Sequence, residues 1–237
     1  MAIKIIAEDV NLEYPIYNLD TSNFRKTMLN FAVGGAISTA GDIAHVKALK
    51  NINFTINEGD SIGLVGHNGA GKSTLLRLLG KIMSPTSGSL EIRGKVFNLF
   101  QIGIGVQDEL TGRENIYRIL MLKGFSKDFI DNCINEVIDF SELNDFVDLP
   151  MRTYSSGMRV RLSFSCLIIS TPEILLIDEV LGAGDGEFRK KATKKLNEIR
   201  RKAKIVVLAT HNTEFLMKNC TKLFYLKNGT IEKIETL

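Results

Sequence analysis

Gly66-His67-Asn68-Gly69-Ala70-Gly71-Lys72-Ser73 is the stretch whose reading decides the fold. It fits the pattern G-x-x-x-x-G-K-[ST], follows the apolar run Ile62-Gly63-Leu64-Val65 directly, and opens the helix-like run Ser73-Thr74-Leu75-Leu76. A strand, a glycine-rich turn and a helix start in that order make a phosphate cradle. Gly66, Gly69 and Gly71 let the backbone around Asn68 and Ala70 turn its N–H groups inward, and the helix N-terminus adds a partial positive charge. Lys72 then reaches the outer phosphates, and the hydroxyl of Ser73, beside Thr74, is placed to ligate Mg2+.

Outward from this loop, Ser61–Val65, Ile174–Ile177, Ile205–Ala209 and Leu223–Leu226 are continuous apolar runs of strand length, as suits strands buried on both faces. Helix-like stretches such as Ser73–Leu79 and Phe188–Arg201 lie between them, giving the alternation of an α/β sheet. Lys227-Asn228-Gly229-Thr230 reads as a hairpin turn, because Asn-Gly tolerates the positive φ of a type I′ turn. The run Ile174–Ile177 ends in Asp178-Glu179, which puts one carboxylate where it can hold Mg2+ and the next where it can polarise an attacking water. Residues 108–169 change character, with polar helical patterning and the breakers Gly112, Gly124 and Pro150, and read as a helical insertion. Ile16–Val46 also departs from the core pattern, with Arg25 and Lys26 ahead of a small-residue run.

Composition sets the outer bounds. A chain of 237 residues, 44% hydrophobic and 24% charged, suits one globular domain with a substantial core. Its formal charge of +3, from 30 basic and 27 acidic residues, is too mild to point to nucleic acid as the main partner. Cys133, Cys166 and Cys220 are odd in number and widely spaced, so neither a disulfide framework nor a zinc site is expected, and the reading is a reducing cytosol. Met1–Asp9 carries charge where a signal peptide is apolar, so export of the chain itself is not expected. The longest weakly apolar stretch, Phe31–Gly41, falls short of the roughly 20 residues that span a bilayer. The basic residues between Arg189 and Lys204 read as a solvated helix face.

Tyr154-Ser155-Ser156-Gly157-Met158-Arg159 resembles the signature of ABC ATPases, and the other landmarks of that family follow in its order. Leu181-Gly182-Ala183-Gly184-Asp185 resembles the D-loop, and Ala209-Thr210-His211 resembles the switch histidine. The resemblance extends over residues 3–230 and implies an α/β P-loop ATPase domain with a RecA-like core, an antiparallel β subdomain and a helical subdomain. On that scheme residues 1–237 form a single nucleotide-binding domain, with core and β subdomain in 1–100 and 171–237 and the helical subdomain in 101–170. ATP and Mg2+ are the implied cofactors, and a second copy of the chain closes head to tail around two nucleotides. Ser155, Ser156 and Gly157 would contact the γ-phosphate held by that second copy. Glu179 would orient water, and His211 would sense the γ-phosphate. Gln101, with Gln107 as the competing residue, would be the Q-loop glutamine near the catalytic Mg2+. Tyr14, or Tyr17, would stack on adenine.

The departure from L-S-G-G-Q at Tyr154–Met158, together with Glu109–Asn115 and Asp178–Asp185, looks like the ATP-binding subunits of bacterial polysaccharide exporters. That branch handles lipid-linked O-antigen, capsule and teichoic acid. It implies a permease supplied by a separate chain, contacted through the Q-loop and the helical insertion, and a place on the cytoplasmic face of the inner membrane. Some members add a C-terminal carbohydrate-binding domain; none is expected here, because the chain stops soon after its last strand. A soluble ABC protein would commonly join two ATPase units or carry a long coiled coil, and an ATP-gated binding module would lack Glu179 or His211. Neither pattern fits.

Overall fold

The computed structural model describes residues 2–16, 36–40, 43–99, 103, 105–167, 169, 171–178 and 186–237, with backbone alone at 16, 36–40, 43 and 44. Tyr17, Gln101, Glu179, the D-loop-like residues 181–185 and most of 16–46 lie outside them. The chain divides into two compact units. The first is Met1–Asn98, Glu173–Glu179 and Lys204–Leu237; the second is Leu99–Pro172 and Val180–Ala203, and so takes in a stretch that the sequence scheme leaves with the core.

In the first unit β1 (Lys4–Ile16), β2 (Ala36–Ala40), β3 (Ile43–Asn57) and β5 (Ser87–Arg93) form an antiparallel sheet in the order β2-β3-β1-β5. One face of it is apolar: Leu49, Ile52, Phe54 and Ile56 of β3 lie buried opposite Ile5, Ala7, Val10 and Leu12 of β1. Strand alternation alone would put Ala7 and Val10 on opposite faces. A bulge between them inserts one residue and restores parity. Asp9 turns through φ 48° there, with its N–H donated to Asn53 Oδ1 at 2.8 Å. The ladder runs on to Ile16 opposite Ala44, so strand structure reaches into a stretch whose Ala, Ser, Thr and Gly content hides it from hydrophobic patterning.

The second sheet has the order β10-β9-β4-β8-β7-β6, with β4 (Ser61–Val65), β6 (Val96–Asn98), β7 (Ile174–Asp178), β8 (Ile205–Ala209), β9 (Lys222–Lys227) and β10 (Thr230–Thr236). Its pairs are parallel except β9 with β10. All five residues of β8 are buried, the condition under which a parallel strand reads as one apolar run. Gly63 in β4 is required by packing: a Cβ there would stand 2.7 Å from Leu223 Cδ2 and 3.2 Å from Leu216 Cβ. Helix α1 (Lys72–Leu79) buries Leu75, Leu76, Leu78 and Leu79. The turn between β9 and β10 has Asn228 at φ 50° and Gly229 at φ 81°, the pair of positive angles its sequence calls for.

The second unit is helical: α2 (Gly112–Leu122), α3 (Lys127–Ser141), α4 (Ser156–Ser165) and α5 (Gly186–Lys202). A capping box starts α2, with Thr111 accepting from Glu114 N–H and Glu114 returning to Thr111. Ile116, Leu120, Ile130, Val137, Met151 and Leu162 pack at the centre of its core. Cys166 is enclosed there, and burial pushes its thiol up to about 12, so it stays protonated and inert at neutral pH. Among the described residues no helix is long and apolar enough to cross a membrane.

Candidate functional site

The loop between β4 and α1 is shaped by its glycines. Gly69 and Gly71 stand at φ 81° and 110°, the left-handed region that only glycine enters freely, and Gly71 is the N-cap residue of α1. Positive φ at alternate positions turns successive N–H groups to one side and makes an anion-binding concavity, which the unpaired N–H groups of the first helical turn extend. His67, Asn68 and Gly69 are exposed at the rim, while Ala70 is buried. Lys72 is only 9% exposed and folds back into the bowl, where Nζ donates to Gly66 O at 2.5 Å and to His67 O at 3.1 Å. An ammonium group has three donors, so this geometry leaves one for a ligand. Ser73 is exposed on the first turn and Thr74 is half-buried behind it.

The far hairpin holds the loop in shape. Gly229 N–H donates to Ala70 O at 3.0 Å, and Lys50 N–H donates to Gly229 O at 2.8 Å. The backbones approach so closely that a Cβ on Gly229 would stand 2.5 Å from Ala48 O. Gly229→Ala is therefore expected to cost about 1–3 kcal/mol through its positive φ and this clash. It should also weaken nucleotide binding at a distance. Thermal unfolding and nucleotide titration of the variant check both effects.

Strand register brings the next groups to the same edge. Asp178, the last residue of β7, is paired with Ala209 of β8, and Ala209 with Leu64 of β4, one residue before the end of that strand. Two strand spacings, about 10 Å, thus separate Asp178 from the strand that feeds the loop. His211 lies two residues beyond Ala209, in the turn before α6 (Thr213–Asn219). That turn is fixed by Asn212 N–H donating to Thr210 Oγ1 at 3.2 Å and by Asn212 Oδ1 accepting from Phe215 N–H at 2.9 Å. Ligands in open parallel sheets bind at this carboxyl edge. Tyr14 stands in β1 on the other sheet, partly buried, with its hydroxyl on Met83 Sδ at 3.1 Å.

In the second unit Ser155 is the N-cap of α4, accepting from Met158 N–H at 3.2 Å, and Ser156 beside it is exposed. A Cβ on Gly157 would meet nothing nearer than Ser155 Oγ at 3.8 Å, so the helix start is an open surface of small groups. Tyr154 anchors it by donating to Phe146 O at 2.6 Å. Arg159 and Arg152 pair with Asp108 and Glu109 at 2.5 and 2.7 Å, tying the loop before α2 to this surface.

Sequence reasoning gave no role to Asn115, which is fully buried. Its amide donates to Gln107 O, Leu110 O and Thr111 O and accepts from Gln107 N–H, so one side chain fixes the backbone from 107 to 111. The signal was present: a polar residue on the apolar face that α2 builds from Ile116, Ile119 and Leu120. Gln107 itself points outward, exposed.

A carboxyl edge bearing a glycine-lined bowl, a buried lysine and a strand-end aspartate is how P-loop proteins hold nucleotide phosphates, and that class accounts for the first unit. The second unit narrows it. The chain belongs to the ABC transporter family, whose pattern residues 49–182 match, and it is an ATP-binding subunit of that family. It is 43% identical over 229 residues to the O-antigen export system ATP-binding protein RfbE of Yersinia enterocolitica, covering 96% of each chain. It is 35% identical to the teichoic acids export ATP-binding protein TagH of Staphylococcus haemolyticus, covering 98% of this chain and 84% of that protein. Among solved structures, an ATP-binding subunit of an ABC transporter superposes with a TM-score of 0.70 at 20% identity, over 98% of this chain and 90% of that one. A dimeric bacterial ABC transporter cassette does so with a TM-score of 0.68 at 25% identity, over 98% of both chains. The fold is that of an ABC cassette.

Proposed function

We propose that the chain is the ATP-hydrolysing subunit of an exporter that moves a lipid-linked polysaccharide, O-antigen in the first instance, across the cytoplasmic membrane. The observation that supports the ATPase part is the row Leu64–Ala209–Asp178, which sets Asp178 and the segment leading to His211 on the same sheet edge as the loop. The cargo rests on likeness to the Yersinia protein along nearly the whole chain. Teichoic acid export is the second reading, favoured by 35% identity to the staphylococcal proteins, and capsule export belongs to the same branch.

The donor set fits Mg2+ bound with a nucleotide: one exposed hydroxyl, Ser73, and one carboxylate, Asp178, both hard oxygen donors at the phosphate edge. When bound, the cation neutralises charge on the β- and γ-phosphates. The chain's own groups do the rest. The N–H groups of 69–73 and the ammonium of Lys72 grip the phosphates, and Tyr14 stacks on the base. Glu179 orients the attacking water and His211 donates to the γ-phosphate. Gln101 links that site to the permease. Ser155, Ser156 and Gly157 of one copy close over the ATP of another, so the active site is complete only in a homodimer. Closure on ATP and reopening after hydrolysis move a separate membrane-spanning permease, to which this subunit is held at the cytoplasmic face.

The cargo is tested by reconstituting the chain with its permease in vesicles and following ATP-dependent loss of lipid-linked O-antigen from the outer, ATP-exposed leaflet. Equal ATPase stimulation by a teichoic acid precursor, with none by O-antigen, would move the assignment to the second reading. The stretch 16–46 is proposed as a membrane-docking element rather than part of the ATP site. Shortening it within 17–35 spares β1, β2 and β3 and is expected to keep the ATPase rate of the isolated subunit while uncoupling it from export and weakening co-purification with the permease. Full export by the shortened chain would make it a tolerated insertion.

A further inference from the structure

One carboxylate, Glu142, joins the helix that carries the signature-like residues to α5. Glu142 ends α3 in the left-handed region, at φ 59° and ψ 35°, where glycine or asparagine is relaxed and a longer side chain is strained. Its two oxygens are divided between two helices. Oε2 accepts from Arg161 of α4 at 3.2 Å, and Oε1 accepts from Lys191 of α5 at 2.9 Å. Lys191 also donates to Phe140 O at 3.1 Å and stands 4.7 Å over the Phe140 ring. The Arg161 guanidinium stands 5.2 Å over the Phe188 ring of α5.

Beneath these charges Phe140, Phe164 and Phe188 form a triad with ring centroids 5.9–6.2 Å apart, and Phe164 and Phe188 are buried. Buried rings of this kind carry most of the packing energy here, and partly exposed ion pairs add little to stability. A strained glutamate is a poor choice for stability alone. What it adds is geometric: one carboxylate shared by a cation from each helix constrains how α4 is rotated against α5.

We propose that Glu142 is a positioning residue for ATP hydrolysis: by setting how α4 is rotated against α5 it sets how Ser155–Gly157, at the start of α4, are presented to the ATP of a second copy. The proposal rests on the reading of Ser155–Gly157 given above.

Glu142→Asn separates this role from a structural one, because asparagine relaxes the left-handed position while removing the bridge. The purified variant and the unaltered chain are compared for melting temperature, MgATP affinity, kcat and KM. The expected result is an unchanged or raised melting temperature, affinity within about twofold, and kcat lower by roughly five- to tenfold, with Glu142→Gln in between. A Glu142→Asn variant with full kcat overturns the proposal. So does a loss of kcat matched by losses in melting temperature and ATP affinity, which would make Glu142 merely structural. An unaltered chain that binds ATP but does not hydrolyse it instead sinks the ATPase reading, and this proposal with it.

Discussion

Glu179→Gln is expected to bind ATP as tightly as the unaltered chain and to turn it over about 10²–10⁴ times more slowly. The substitution keeps the shape and one acceptor oxygen of the side chain but removes its charge and basicity. On the proposed assignment nothing that grips the phosphates is touched, because that work falls to the N–H groups of the loop, Lys72, Ser73 and Asp178. An interaction made mainly with the attacking water is lost, and such losses fall on kcat rather than on ground-state binding. Phosphate release under saturating ATP, with affinity from a fluorescent nucleotide, reads the two quantities separately. Turnover at the unaltered rate would remove Glu179 from the catalytic role.

Lys72→Ala acts on the opposite term. Its ammonium is buried and held by two carbonyls of the loop it serves, so it is already positioned when nucleotide arrives. A charge-assisted hydrogen bond of this kind is worth about 1.5–3 kcal/mol, or about 10–150-fold in affinity. Removing it also takes the lysine donor from Gly66 O and leaves His67 O with Ala70 N–H alone, which loosens the loop. Calorimetric titration with MgATP should show the loss, and Lys72→Met, which keeps the volume of the stem, should show nearly as much. Undiminished binding by both variants would mean that the bowl holds its ligand by backbone alone.

The parts of this structure written in contiguous sequence were legible. Gly66–Ser73 carries its own flanking strand and helix, Asn228-Gly229 its own turn type, and the buried runs of β4, β7, β8 and β9 their own burial. Groups that act through distant partners were not. Glu142 gains its meaning from Arg161 and Lys191, and Gly229's contact with the phosphate loop from Ala48 and Ala70, which no local pattern announces; Asn115 is marked locally only as a polar residue on an apolar face, not by the loop it clamps. The grouping of α5 with the helical unit has the same origin, since its Phe188 finds Phe140 and Phe164 there. The bulge at Asp9 shows a subtler limit: parity along β1 changes in mid-strand, so an alternation read from either end places the other end on the wrong face.

The central claim is that two copies close around MgATP to make the active sites. It is tested most directly by the molar mass of the Glu179→Gln chain in solution, measured by light scattering after size exclusion with MgATP and, separately, with MgADP. The account predicts a mass twice that of one chain with MgATP and that of a single chain with MgADP. A single-chain mass under both conditions, with ATP demonstrably bound, would contradict it.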